Sequence, residues 1–460
     1  MAMGKRQKPG QGQIWLEAKT LAKGPSHPFY QRLNETLERH GFDGFVEGLA
    51  ARFYAARLGR PSLPPAVYFR LLLIGYFEGI DSERGIAWRV ADSLALRAFL
   101  GLALTESPPD HSTISRNRRL LDLEAHQEAF TWVLGVLAKE GVLRGKTLGI
   151  DATTLEANAA LRSIVRRDTG ESYDEFLRGL ARASGIETPT REDLAKLDRK
   201  RAKKGSNQDW QNPHDPDAKI TKMKDGRTHL AHKAEHAVDM ETGAVVAVTL
   251  QPADRGDTAS LEETLDEAMG ELSDVMEDDE SGEALSGEIL AELVADKGYH
   301  SNAVLAARKQ VGIRTYISEP KRGRRNWQGK AAEKAAVYAN RQRIRSERGK
   351  QLLRRRGELL ERSFAHCYET GAMRRTHLRG HRNILKRLLV HVAGFNLGLV
   401  MREVFGIGKP RVLQGLRAAL LRLVCALFAA IASASAGFGR WSLIHPTNRS
   451  IYSKCALAAV

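Results

Sequence analysis

The order of hydrophobic patterns after residue 145 constrains this chain most. Helical periodicity over residues 1–140 gives way to short alternating or continuous apolar runs of β character. Residues 146–151 read as a first strand, 228–238 as a second and 244–250 as a third. The turn Met240-Glu241-Thr242-Gly243 joins the last two into a hairpin. A capping box at Ser260-Leu261-Glu262-Glu263 predicts a helix start. Residues 289–296 form a fourth strand, Ser301 caps a helix through Lys309, 313–318 form a fifth strand, and the chain is helical and basic from Lys321. This order predicts a mixed sheet with an antiparallel part, flanked by helices: an α+β (mixed α/β) fold.

Two of the apolar runs end in an acid. Thr147-Leu148-Gly149-Ile150 leads into Asp151, and Leu293-Val294-Ala295 leads into Asp296-Lys297-Gly298-Tyr299. Glu361 follows in a basic helical stretch. A lone aspartate after an apolar run is most often a turn or a helix cap. Two on strands of one sheet, with an acid arriving on a later helix, lay out a three-carboxylate site for divalent metal. Magnesium binds through one or two carboxylates plus substrate phosphate. Two such ions about 3.5–4 Å apart stabilise the attacking and leaving oxygens of a phosphodiester displacement. The expected ligands are Asp151 bridging two Mg2+ or Mn2+ ions, Asp296 on one and Glu361 on the other. Glu358, one helical turn earlier, competes with Glu361.

The charge balance points to a polyanionic partner. Net charge is +16 and the pI is about 9.8. Residues 321–387 hold 21 Lys and Arg against 5 acids, so their surplus equals that of the whole chain and surrounds Glu361. Three cysteines, Cys367, Cys425 and Cys455, fit a reducing cytosol rather than a disulfide framework. Residues 1–12 have no apolar core of a signal peptide. Residues 418–438 are apolar, but Arg422 interrupts them, and they read as a buried helix with no membrane partner. No Gly-rich nucleotide loop is present, so no nucleotide cofactor is expected.

Before residue 140 the chain reads as helices over 28–40, 42–58, 66–77 and 81–90, and one capped by Asp110. The last begins Asp110-His111-Ser112-Thr113 and continues through Arg116, Arg118 and Arg119. It has the composition of a DNA recognition helix and equally of a surface helix. Residues 161–225 form a polar insertion whose centre, 199–208, is a charge run expected to be an exposed arm. Residues 388–404 and 412–432 read as apolar helices. His377 and His381, four apart, and His232 and His236, in a β run, read as phosphate contacts and packing residues before zinc ligands. Trp327 lies among basic residues and is a stacking or packing side chain.

Several motifs carry a resemblance. Ile150-Asp151-Ala152-Thr153, Ala295-Asp296-Lys297-Gly298-Tyr299 and Glu361-Arg362-Ser363-Phe364 resemble the three acidic motifs of bacterial insertion-sequence DDE transposases. So do 221–226, 374–383 and 393–397. The chain is similar to the group filed with insertion-sequence families five and eleven-eighty-two, over roughly residues 61–401. A related signature places Arg and Lys around the glutamate where this chain has Gly357 and Tyr368. The resemblance implies an RNase H-like sheet at 141–387, preceded by a helical DNA-binding and dimerisation domain at 1–140 and followed by C-terminal helices at 388–460. It implies metal-dependent cleavage of element ends and transfer of 3′-hydroxyl ends into target DNA, by a homodimer on double-stranded DNA in the bacterial cytoplasm. Lys297, Arg374, Arg375, Arg379 and Arg382 would hold phosphates near the acids. The rival readings are a nuclease that cuts without joining and a non-enzymatic DNA-binding regulator.

Overall fold

The computed structural model describes residues 3–4, 28–55, 62–103, 105–201, 205–223, 226–285, 287–321, 323, 325–408 and 410. Seven helices come first: α1 Pro28–Arg39, α2 Phe42–Ala50, α3 Pro65–Glu78, α4 Glu83–Ala91, α5 Leu94–Leu100, α6 His111–Leu120 and α7 Leu123–Lys139. Their starts obey local chemistry. Pro65 opens α3 where a missing N–H costs nothing. The side chains of Ser82, Ser93, Asp110 and Asp122 cap α4, α5, α6 and α7. Apart from Arg70, which is buried and paired with Asp43, α3 is apolar up to its last residue and buried to the same point, as expected for a helix inside a core.

The sheet begins with β1 Thr147–Glu156. The polar insertion follows, with β2 Val165–Arg166, α8 Tyr173–Ala183, α9 Arg191–Lys200, β3 Trp210–Gln211 and β4 Lys219–Lys222. Then come β5 Thr228–Asp239, β6 Val245–Pro252, α10 Asp257–Glu277, α11 Asp279–Ala284, β7 Glu292–Ala295, α12 Asn302–Gln310, β8 Arg314–Ile317, α13 Ala331–Arg345, α14 Glu347–Phe364 and α15 His381–Glu403. The main sheet runs β4-β5-β1-β7-β8, with β6 also paired to β5. β5 is antiparallel to β1, β4 and β6, whereas β1, β7 and β8 are mutually parallel. The mixed sheet and its flanking helices are as the patterns predicted.

Four local expectations are corrected. Ser260 does not cap a helix: α10 starts a turn earlier, after Gly256, and the Ser260 hydroxyl is buried against Glu235. The insertion is folded rather than an exposed arm. Trp210, Ile164 and Leu230 build one small core and Leu177, Ala181 and Leu194 another. Its end supplies β4, an edge strand too polar to read as one. The chain is not helical from Lys321; α13 begins at Ala331. β1 continues five residues past Asp151, because β5 keeps pairing it through Glu156. Residues 202–204, 412–432 and 418–438 lie outside the described residues.

α15 ties the helical part to the sheet. Its first turns hold the end of α6: Lys386 Nζ donates to the carbonyls of Arg118 and Leu121 at 3.0 and 2.6 Å, and Arg118 donates to Asn383 Oδ1 at 2.9 Å. Arg387 donates to the Ile80 carbonyl at 3.1 Å, beside α4. Further along, the Asn396 amide bridges the N–H and C=O of Val245 on β6 at 2.9 and 2.7 Å. Among the described residues, α15 is the helix long and apolar enough to cross a membrane, and it is buried inside the protein. One hydrophobic core runs from Phe29 through the sheet to Met401.

Candidate active site

In the parallel β1–β7 ladder Ile150 is opposite Ala295, so Asp151, midway along β1, and Asp296, just past the end of β7, stand at the same level. This is the carboxyl end of β7 and β8, and open sheets bind ligands at the carboxyl ends of their parallel strands. Asp296 caps a 3-10 turn, Lys297–Tyr299, accepting the Gly298 N–H on Oδ1 at 2.6 Å. Tyr299 buries its ring and donates its hydroxyl to Glu235 at 2.6 Å. Glu235, fully buried on β5, also accepts from Ser260 and Thr264 of α10 at 2.9 and 2.5 Å. Lys233, two residues earlier on the same face, binds Asp257 at 2.6 Å. A Cβ on Gly298 would collide with Asp257 Oδ2 and stand 3.0 Å from Asp296 Oδ1. Only glycine lets the turn carrying Asp296 close on α10.

Asp151 is on the side of the sheet away from Glu235 and Lys233, opposite His236 of β5 and under α14. Its Oδ1 accepts the Ala152 N–H at 2.9 Å and its Oδ2 accepts Arg356 Nη1 at 2.8 Å. Burial pushes its carboxyl above the usual range, Arg356 and the Ala152 N–H pull the other way, and the charge of Asp296 adds to the rise. α14 and Met240 pack closely over Gly149, which has no side chain: a Cβ there would collide with Met240 Sδ and meet Leu360 Cδ1 at 3.1 Å and Arg356 Cγ at 3.4 Å. Farther along, Ser363 and Tyr368 bind the two nitrogens of His236 at 3.0 and 2.6 Å. Burial lowers His236 to about 3, so it is a neutral packing group.

α14 carries both candidate third acids. Glu358 lines a groove with Gly141, Glu241, Thr242 and Arg354, by the β5–β6 turn, and pairs with Arg362 at 2.7 Å. Glu361 is exposed and is not part of that groove. Among the described residues no three His, Cys, Asp or Glu side chains are grouped to hold a metal ion. The structure thus sets Asp151 and Asp296 at one level of neighbouring strands, near enough for the charge of Asp296 to act on Asp151, without closing a trio around them. Two adjacent carboxylates suit a hard cation, which takes oxygen ligands.

The basic residues separate into two kinds. Lys297, Arg375, Arg379, Arg382, Arg116 and Arg119 are at least partly exposed. Arg374 is tied down, donating to Thr153 Oγ1 and the Thr154 carbonyl at 3.0 and 3.1 Å and pairing with Glu369. Arg118 is turned inward, paired with Glu83 at 2.8 Å. The loop 374–376 runs alongside Glu156, which places Arg374 and Arg375 at the end of β1. His377 pairs with Asp81 at 2.9 Å, the His381 ring packs on His232, and Trp327 packs between Arg325 and Tyr338.

Arg356, Glu235, Lys233 and Asp257 were not singled out by the sequence. Charged residues alternating through an otherwise apolar strand, as in His232-Lys233-Ala234-Glu235-His236, were the available signal for two of them.

Two family models match the chain. One described as Transposase domain (DUF772) matches residues 18–120, and one described as Transposase DDE domain matches residues 318–400. The first covers α1 to α6; the second covers α13, α14 with Glu361, and most of α15. No curated protein and no solved structure matches. The two matches support a DNA transposase of the DDE type.

Proposed function

We propose that this chain is the transposase of a bacterial insertion sequence of the group filed with families five and eleven-eighty-two. It would cut the ends of its element and join the freed 3′-hydroxyls to target DNA, acting in the bacterial cytoplasm as a homodimer. The sheet is read as an RNase H-like core spanning 141–387, with α1 to α7 as the DNA-binding and dimerisation part. The observation that carries this reading is the pair Asp151 and Asp296, side by side on parallel strands, in a chain matched on either side by transposase models.

Asp151, Asp296 and Glu361 would hold two Mg2+ or Mn2+ ions. Bound there, the ions would polarise the scissile phosphate and activate first water and then the 3′-hydroxyl. Asp151 and Asp296 supply fixed negative charge on rigid strands. Tyr299 and Gly298 hold the Asp296 turn in place. Lys297, Arg375, Arg379 and Arg382 neutralise backbone phosphates, and Arg116 and Arg119 on α6 approach the duplex from the helical part. Glu361 is preferred to Glu358 because Glu358 is paired with Arg362 in a groove by the β5–β6 turn.

The test is incubation of the purified chain with a duplex carrying the ends of its element, a target plasmid and Mg2+. Excision with joined products supports the reading. Cleavage without joining identifies a nuclease, and binding without cleavage a regulator.

A further inference from the structure

Both oxygens of Asp151 are taken. Oδ1 holds the Ala152 N–H and Oδ2 holds Arg356 Nη1. The arginine is built into its place: its stem runs over Gly149, its side chain is 14% exposed, and Nη1 also reaches the Ile150 carbonyl at 3.5 Å. Yet its Nε is buried with no hydrogen-bond partner. An unmet buried donor is unfavourable, so the guanidinium is held at Asp151 without being fully satisfied there. A phosphate offers the planar fork two acceptors at once, which Asp151 Oδ2 does not.

We propose that Arg356 is the resident counter-ion of the acidic site, occupying the oxygen of Asp151 that a divalent ion must take and releasing it when a DNA phosphate engages the guanidinium. This rests on the reading that Asp151 holds metal. Without DNA, Arg356 weakens cation binding by covering Oδ2 and by placing like charge beside the ion. With DNA bound, the guanidinium turns to the backbone and the carboxylate is freed. Metal and DNA then favour each other by one common factor, as linkage requires. The chain would carry its metal mainly when there is DNA to cut.

The test is calorimetric titration of the full chain with Mn2+, with and without a duplex, for wild type, Arg356→Gln, Arg356→Met and Asp151→Asn. Without DNA, Arg356→Gln should bind Mn2+ about tenfold tighter than wild type, a modest effect for removing a neighbouring like charge. Duplex phosphate should tighten Mn2+ binding in both proteins, and by a clearly larger factor in wild type, where it also draws Arg356 off the carboxylate. Arg356→Met keeps the apolar stem over Gly149 and serves if the glutamine variant melts early. Folded variants that bind Mn2+ no tighter than wild type overturn the inference, as does duplex tightening both proteins equally. Asp151→Asn separates the two claims. If it binds Mn2+ as wild type does, the metal reading itself fails. If it loses binding while the Arg356 variants match wild type, only the counter-ion role falls.

Discussion

Ile150 and Ala295 face each other across the parallel β1–β7 ladder, and the next residue on each strand is an aspartate. Asp151→Asn and Asp296→Asn should each reduce strand cleavage to background while duplex binding persists, because metal stabilises the transition state and phosphate contacts supply affinity. Asp151→Asn should cost about 1–3 kcal/mol of stability and remain folded, since the amide oxygen keeps an acceptor for Arg356 while its NH2 loses the Ala152 N–H. Gel-shift, cleavage and melting on the same preparations decide this. Near wild-type cleavage by either variant removes that aspartate from the site.

Glu361→Gln should be as damaging as the aspartate changes. Glu358→Gln should be mild, because it loses only an exposed pair with Arg362, a contribution of about 0.5 kcal/mol. Parallel cleavage rates for the two variants are the measurement. The reverse ranking would make Glu358 the third acid.

Arg375→Ala, Arg379→Ala and Arg382→Ala together should flatten the dependence of DNA affinity on salt. The log–log slope should fall by about 0.9 for each phosphate that is no longer neutralised. Arg118→Ala should leave the slope unchanged and cost about 2 kcal/mol of stability, since Arg118 is largely buried between Glu83 and Asn383. A salt series of binding constants beside a denaturant titration tests both halves.

Gly298→Ala should push a methyl group against Asp257 and Asp296. Asp257 is held by Lys233, so the turn rather than Asp257 has to give. We expect about 1–3 kcal/mol of destabilisation from the overpacking. Cleavage should fall further than stability does, because the displaced group is Asp296. Unchanged Mn2+ affinity and cleavage in this variant would show that the turn tolerates a side chain.

Glu271 on α10 is pushed up to about 8, chiefly by burial and further by Glu267 and Asp274, with the Thr131 hydroxyl opposing. Its folded value exceeds its unfolded value, so its contribution to stability is complete below about 4.5. It declines as pH rises and is exhausted near 8. Glu271→Gln should therefore gain stability relative to wild type as pH rises across that window. Melting curves from about pH 5 to pH 8 that stay parallel for the two proteins would contradict the assignment.

The placement of the two aspartates at one level of the sheet was legible because each follows an apolar β run, and the mixed sheet followed from the order of runs. Arg356 was not. In Arg354-Arg355-Arg356 three identical side chains are equivalent on paper, and only the seating of α14 over Gly149 directs one of them to Asp151. Ser260 misled because a hydroxyl three residues before a glutamate fits a helix start as well as a helix interior; its burial against Glu235 depends on strand β5, distant in sequence. The insertion misled for another reason. Its apolar residues are sparse, and Trp210 finds Ile164 and Leu230 only after the chain has folded back.

α15 grips α6 and α4 with its first turns and β6 with Asn396 farther along. A duplex held on α6 would therefore be registered against Asp151 and Asp296 by a stiff rod of core helix. The interval between the sequence recognised and the bond broken would be a dimension of the protein itself, and an element with altered spacing at its ends would be bound as well as before and cut in the wrong place.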